Sequence, residues 1–173
     1  MANDTTAAPP PDLTMGILQR RRVEAEIIKP IYEEMKVAFG VEAAQRVLGT
    51  AIRKAAIEAG RQFAAQEKNG TSIATFAAIQ PLWQREDALR IEPVKQDETT
   101  LEFNVRRCRY AEMYHGMGLS EIGHLLSCER DATFIDGYDP RMEFSRTQTI
   151  MGGASHCDFK YRMRCESETP KGG

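Results

Sequence analysis

A chain of 173 residues with 42% hydrophobic and 28% charged content has the composition of an ordinary globular domain with room for a core. Its net charge of −2 argues against long-range attraction to nucleic acid or an anionic membrane. No apolar run approaches the roughly 20 residues that span a bilayer, and no apolar signal core opens the chain, so the expectation is a cytoplasmic protein with reduced thiols at Cys108, Cys128, Cys157 and Cys165.

Residues 1–13, with Pro9-Pro10-Pro11 among Ala, Thr and Asp, are expected to form a disordered lead-in. From Thr14 the pattern turns helical: Ile17, Leu18, Val23, Ile27, Ile28, Ile31 and Met35 fall near one face, Pro30 predicts a kink or break, and Gly40 ends the helix. The run Arg20-Arg21-Arg22 reads as a solvated face of this helix, and Arg106-Arg107 as a strand edge; no aromatics interleave them as a nucleic-acid groove would require. A second helix is predicted over Val41–Lys68, with an Ala-rich face suited to close packing within the chain or between subunits. A third is predicted over Ile73–Gln84, capped by Thr71-Ser72 and disturbed by Pro81.

The second half carries the chemistry, since the first contains neither His nor Cys. Leu89, Ile91 and Val94 read as a strand, 97–100 as a turn, and Leu101, Phe103, Val105 and Arg107 as its antiparallel partner. A short helix follows over Cys108–Gly118. Another is predicted over Leu119–Phe134, with Ser120 as its cap and with Cys128 and Asp131 on one face. A closing hairpin alternates from Phe144 to Met151, turns at Gly152-Gly153, and returns through His156-Cys157-Asp158, with Cys157 on the face opposite its neighbours. The order predicts an α+β fold: a helical N-terminal half packed on a C-terminal antiparallel sheet of hairpins with intervening helices, in one domain over 14–165 followed by a polar tail over 166–173.

The succession Arg107-Cys108-x-Tyr110-Ala111-Glu112, Gly118-x-x-Glu121-x-Gly123, Cys128-x-x-Asp131, Arg146-Thr147-x-Thr149 and Gly153-x-x-x-Cys157-Asp158-Phe159 resembles the L-2-amino-thiazoline-4-carboxylic acid hydrolase family. The resemblance covers about residues 14–164 and implies water-driven opening of a small five-membered heterocyclic carboxylate. A weaker similarity runs to 4-vinyl reductase-like sensory domains, some of which hold zinc through cysteines and a Glu. By position Cys128 and Cys157 match two of those ligands, but Arg146 and Thr149 fall at the other two, and an Arg repels a metal ion. The expectation is therefore the shared scaffold without the metal. Three His and four Cys suffice for zinc in number, yet no spacing supports it.

Hydrolytic ring opening needs a nucleophile or activated water, a proton donor for the leaving atom, and a cation for the substrate carboxylate. Cys157 and Cys128 are candidate nucleophiles if a nearby cation lowers their pKa, the blander reading being two buried small hydrophobes. Asp131 and Glu112 are the candidate acid/base pair, with salt-bridged or solvated carboxylates as the alternative. Arg146, Thr147, Thr149, Tyr110 and Arg107 are candidate substrate-binding residues, and His115 a candidate proton shuttle. The expected function is a catabolic hydrolase of cyclic amide, amidine or thiazoline-type bonds in an N-heterocyclic acid, without cofactor and with homo-oligomerisation open. The competing class is a non-enzymatic small-molecule sensor.

Overall fold

A computed structural model describes residues 14–164; the expected lead-in, the polar tail and Cys165 lie outside the described residues. The architecture is α+β, with helices through the N-terminal half and a four-stranded antiparallel sheet in the C-terminal half.

Helix α1 (Ile17–Phe39) runs unbroken past Pro30, which lies on its exposed side. A missing N–H there is tolerated as a lost hydrogen bond without ending the helix, so the predicted break is absent. Gly40, at φ 81°, turns the chain directly into α2 (Val41–Ala64), which stops four residues short of the predicted end. Ser72 caps α3 (Ile73–Ile79): its hydroxyl accepts the Thr75 N–H while Thr75 Oγ1 accepts the Ser72 N–H. Pro81 divides this helix from the short α4 (Pro81–Gln84), being favoured at a helix start and disfavoured inside.

Strands β1 (Leu89–Gln96) and β2 (Thr100–Cys108) form the predicted hairpin, and α5 (Arg109–Gly116) follows without a linker. The predicted helix over Leu119–Phe134 does not form as one piece. A widened π-helical turn occupies His124–Cys128, and the regular helix α6 spans Glu129–Tyr138. The closing hairpin is also shorter than its alternation suggests. Strand β3 spans only Met142–Ser145, the chain leaves the ladder at Arg146, a 3₁₀ turn covers Ile150–Gly152, and β4 begins at Cys157 and runs to Met163. Asp158 explains the departure: Oδ1 accepts the backbone N–H of Thr147 and of Gln148, and Oδ2 accepts the Thr147 hydroxyl. Donors that a ladder would use are thus taken by a side chain.

The sheet order is β1-β2-β4-β3. In the β2–β4 register Leu101 faces Tyr161, Phe103 faces Phe159 and Val105 faces Cys157. All six are buried on the helix-covered face, with the Phe103 and Phe159 rings stacked 5.0 Å apart. Helix α6 lies across α2 at backbone contact: a Cβ on Gly60 would sit 2.1 Å from the Phe134 carbonyl oxygen, and one on Gly137 1.9 Å from that of Ile57. The face of α2 packed within the chain carries Ala44, Gly49, Ile52, Ala56 and Gly60, whereas Val47, Ala51 and Ala55 of the Ala-rich face read from sequence are exposed.

Candidate functional site

Two hydrophobic cores meet inside the molecule. One is helical, around Tyr32, Tyr114 and Leu126; the other is the aromatic layer between sheet and helices, around Phe76, Phe134 and Phe159. Trp83, Leu89, Cys108 and Ile150 pack against both. At the junction lies a cavity of about 140 Å³. Its walls are largely aromatic, from Phe63, Phe76, Trp83, Phe134, Phe159 and Tyr161. Its polar end is made by Arg21, Arg130, Asp131 and Arg146. An apolar protein cavity of about 150 Å³ accepts a benzene-sized molecule, so one small ring is the scale of ligand that fits.

The polar end is built by α1, α6 and the segment after β3. Asp131, on the first turn of α6, receives Arg146 Nη1 at Oδ2 at 2.6 Å. Arg146 Nη2 donates to the Cys128 carbonyl at 3.0 Å, and its guanidinium lies over the rings of Phe144 and Phe159 at 5.3 and 5.0 Å. Asp131 Oδ1 has no hydrogen-bond partner among the described residues. No fully buried side-chain oxygen there lacks one, so this oxygen is accessible, on a residue that lines the cavity. Burial pushes the Asp131 carboxyl up to about 6, against the opposing pull of Arg146. Burial also works against the Arg146 charge, but Asp131 outweighs it and holds the guanidinium protonated.

Three thiols border the same space: Cys108, Cys128 and Cys157. Burial pushes Cys108 and Cys128 up to about 12 and raises Cys157 as well, outweighing Arg146 at the latter two. The Cys157 sulfur accepts the Ile150 N–H at 3.2 Å. The cation that the sequence reading places beside Cys157 is present, yet its main partner is Asp131, and these thiols sit in surroundings that disfavour the thiolate. Tyr110 also lines the cavity, its hydroxyl donating to the Trp83 carbonyl at 3.2 Å.

The other sequence candidates lie elsewhere. Glu112 is half-exposed and bound bidentately by Arg107 at 2.7 and 3.0 Å; Arg107 also reaches Asp87 at 2.8 Å. The Arg107 hydrogen bonds pull the Glu112 carboxyl below its ordinary range. His115 is exposed, its Nδ1 2.7 Å from the Ser120 hydroxyl. Thr147 binds Asp158, and Thr149 Oγ1 accepts the Gly152 N–H, so both shape the β3–β4 connection. None of these five lines the cavity.

The sequence reading missed Arg21, Arg130 and the aromatic wall. Arg21 stands at helical spacing with the buried Leu18, Ala25 and Tyr32, so the period of α1 turns it inward rather than onto a solvated face. Arg130 Nε donates to the Leu126 carbonyl inside the π-helical turn, and burial lowers this guanidinium to about 10. Among the described residues no three His, Cys, Asp or Glu side chains stand together as a metal would need. Arg146 occupies the position between Cys128 and Asp131, so this donor set does not fit zinc.

The fold is α+β, and its cavity pairs an aromatic wall with an arginine–carboxylate end. The chain belongs to the L-2-amino-thiazoline-4-carboxylic acid hydrolase family, whose model matches residues 20–161. That membership supports a hydrolase. No curated protein sequence matches the chain. Among solved structures, the phenol-responsive sensory domain of the transcription activator PoxR, with phenol, aligns with a TM-score of 0.53 at 12% identity, covering 85% of this chain and 76% of that one. The likeness to sensory domains is therefore one of fold. A trafficking protein particle complex subunit 3 from Naegleria fowleri, covalently bound to palmitic acid, aligns with a TM-score of 0.49 at 10% identity, covering 84% of this chain and 96% of that one. No helix among the described residues is long and apolar enough to cross a membrane.

Proposed function

We propose that the protein is a hydrolase that opens the ring of a small N-heterocyclic carboxylic acid at a cyclic amide, amidine or thiazoline-type bond, with Asp131 as its acid/base. The observation that carries the reading is a carboxyl in the wall of a ring-sized cavity, pushed up to about 6, held at one oxygen by Arg146 and without a partner at the other among the described residues. A carboxylate near neutrality accepts and returns a proton with little cost in either direction. In this reading Asp131 takes a proton from water as its oxygen adds to the electrophilic ring carbon. Asp131 then delivers that proton to the ring heteroatom as the carbon–heteroatom bond breaks. Arg146 positions Asp131, and the aromatic wall holds the ring and excludes bulk water. The raised thiols favour this water route over attack by Cys157 or Cys128.

The test is to incubate the protein with 2-aminothiazoline-4-carboxylate and a panel of cyclic amide and amidine acids, following loss of ring absorbance. Turnover abolished by Asp131→Asn supports the reading; undiminished turnover in that variant removes Asp131 from it. A second reading, a non-enzymatic binder of small aromatic molecules, is favoured by the mainly aromatic lining and by the phenol held by the PoxR sensory domain of similar fold. Saturable binding across the panel without any turnover would select it.

A further inference from the structure

We propose that Arg21 on α1 and Arg130 on α6, bridged by Glu24, form the subsite that holds the carboxylate of a ring-sized acid, with Glu24 as its resident stand-in. The inference deepens the reading of the cavity as the site of a heterocyclic acid. Arg146, the residue that sequence alone nominates, is already committed: its two terminal nitrogens serve Asp131 and the Cys128 carbonyl. Arg21 and Arg130 both line the cavity and are only 16% and 15% exposed, so their charges sit where an anion is poorly screened by solvent.

Both also keep donors in reserve. Arg21 uses Nη1 alone, donating to Glu24 Oε1 at 2.7 Å and Oε2 at 2.8 Å. Arg130 uses Nη2 on Glu24 Oε2 at 3.2 Å and Nε on the Leu126 carbonyl at 2.8 Å. Arg21 Nε and Nη2 and Arg130 Nη1 have no partner among the described residues. No fully buried side-chain nitrogen there is unsatisfied, so these atoms lie on open surface. Guanidinium edges offer paired donors that match a carboxylate fork. The local charge agrees: Arg21, Arg130 and Arg146 stand against Glu24 and Asp131, three cations to two anions. Glu24 does not line the cavity and is 35% exposed, so an incoming carboxylate can take its place beside the arginines.

The experiment titrates the full-length protein at neutral pH and low salt with thiazole-4-carboxylate and, separately, with thiazole-4-carboxamide, by calorimetry. Wild type should bind the acid at least about tenfold more tightly than the amide, the scale of one charge-assisted pair. Arg21→Gln should erase most of that preference and Arg21→Lys restore part of it. Glu24→Gln, which removes the competing anion, should tighten the acid about threefold or more and leave the amide within about twofold. A merely structural Glu24 would weaken both ligands together. Equal affinity for acid and amide in wild type, or a preference unchanged in Arg21→Gln, overturns the subsite. If Arg21→Gln loses the amide as well, Glu24→Gln decides, and failure to strengthen the acid overturns the proposal. The titration reads no turnover. Acid-selective binding without hydrolysis of any ring would leave the subsite standing and remove the hydrolase.

Discussion

Two arginine–carboxylate pairs in this protein differ almost only in where they stand. Asp131 and Arg146 meet at 2.6 Å in the wall of a cavity; Glu112 and Arg107 meet at 2.7 Å on the surface beside Asp87. The side-chain exposures are 27% and 11% for the first pair and 50% and 36% for the second. Burial raises Asp131 to about 6 despite its partner, while the partner lowers Glu112 because water already carries most of its solvation. The same two functional groups thus give a carboxyl raised toward neutrality in one place and one lowered below its ordinary range in the other. Environment, not residue type, decides which carboxylate can exchange a proton near neutral pH.

The sharpest way to break the comparison is to remove each carboxylate. Asp131→Asn should reduce turnover of a ring-acid substrate by about 100-fold or more, the range of general acid–base catalysis, while Glu112→Gln stays within about twofold. Equal losses in steady-state assays would show that the contrast in environment has no catalytic meaning. Removing the cations should separate the pairs in stability. Arg146→Met leaves Asp131 without its partner and should cost about 3 kcal/mol in urea unfolding, whereas Arg107→Met should leave the midpoint nearly unchanged.

The pH dependence of stability should differ in sign. A carboxyl raised on folding binds its proton more tightly in the native state, so the Asp131 contribution falls as pH climbs from about 4 to about 6 and is flat beyond. Across that window wild type should lose up to about 3 kcal/mol relative to Asp131→Asn. Glu112 is lowered, so its contribution is present above the ordinary carboxylate range and disappears as pH falls through its folded pKa. Unfolding curves of wild type, Asp131→Asn and Glu112→Gln at stepped pH values test both signs. The smallest effect is expected at the thiols: Cys128→Ser and Cys157→Ser, assayed separately, should each keep turnover within about fivefold. A loss comparable to that of Asp131→Asn in either would restore sulfur as the nucleophile.

Much of this was legible in the chain because local rules agreed with the final packing. The Leu101, Phe103, Val105 alternation, the turn at 97–100 and the Ser72 cap each follow from their own few residues. Asp131, Arg146, Cys128, Cys157 and Tyr110 do gather at one cavity. The failures share a cause. Arg146 leaves its strand because Asp158, eleven and ten residues beyond Thr147 and Gln148, binds their backbone. The π-helical turn at His124–Cys128 interrupts a pattern that periodicity reads as one helix, and guanidinium groups from Arg130 and Arg146 cap the Leu126 and Cys128 carbonyls around it. Glu112 carried the right chemistry, but only the third dimension shows that it faces water. Arg21 was different, because the helical period of α1 held the information and the triple-arginine run obscured it.

The crossing of α2 and α6 sets the calibre of the cavity from outside it. Gly60 is one turn from Phe63, and Gly137 one turn from Phe134, whose rings meet edge-on at 5.6 Å. Neither glycine lines the cavity, yet an added methyl at either would force the two backbones apart and carry those rings with them. The width of the cavity therefore depends on two positions with no side chain at all, and in the proposed hydrolase a drift in ring-size preference would arise there while every contacting residue stays the same.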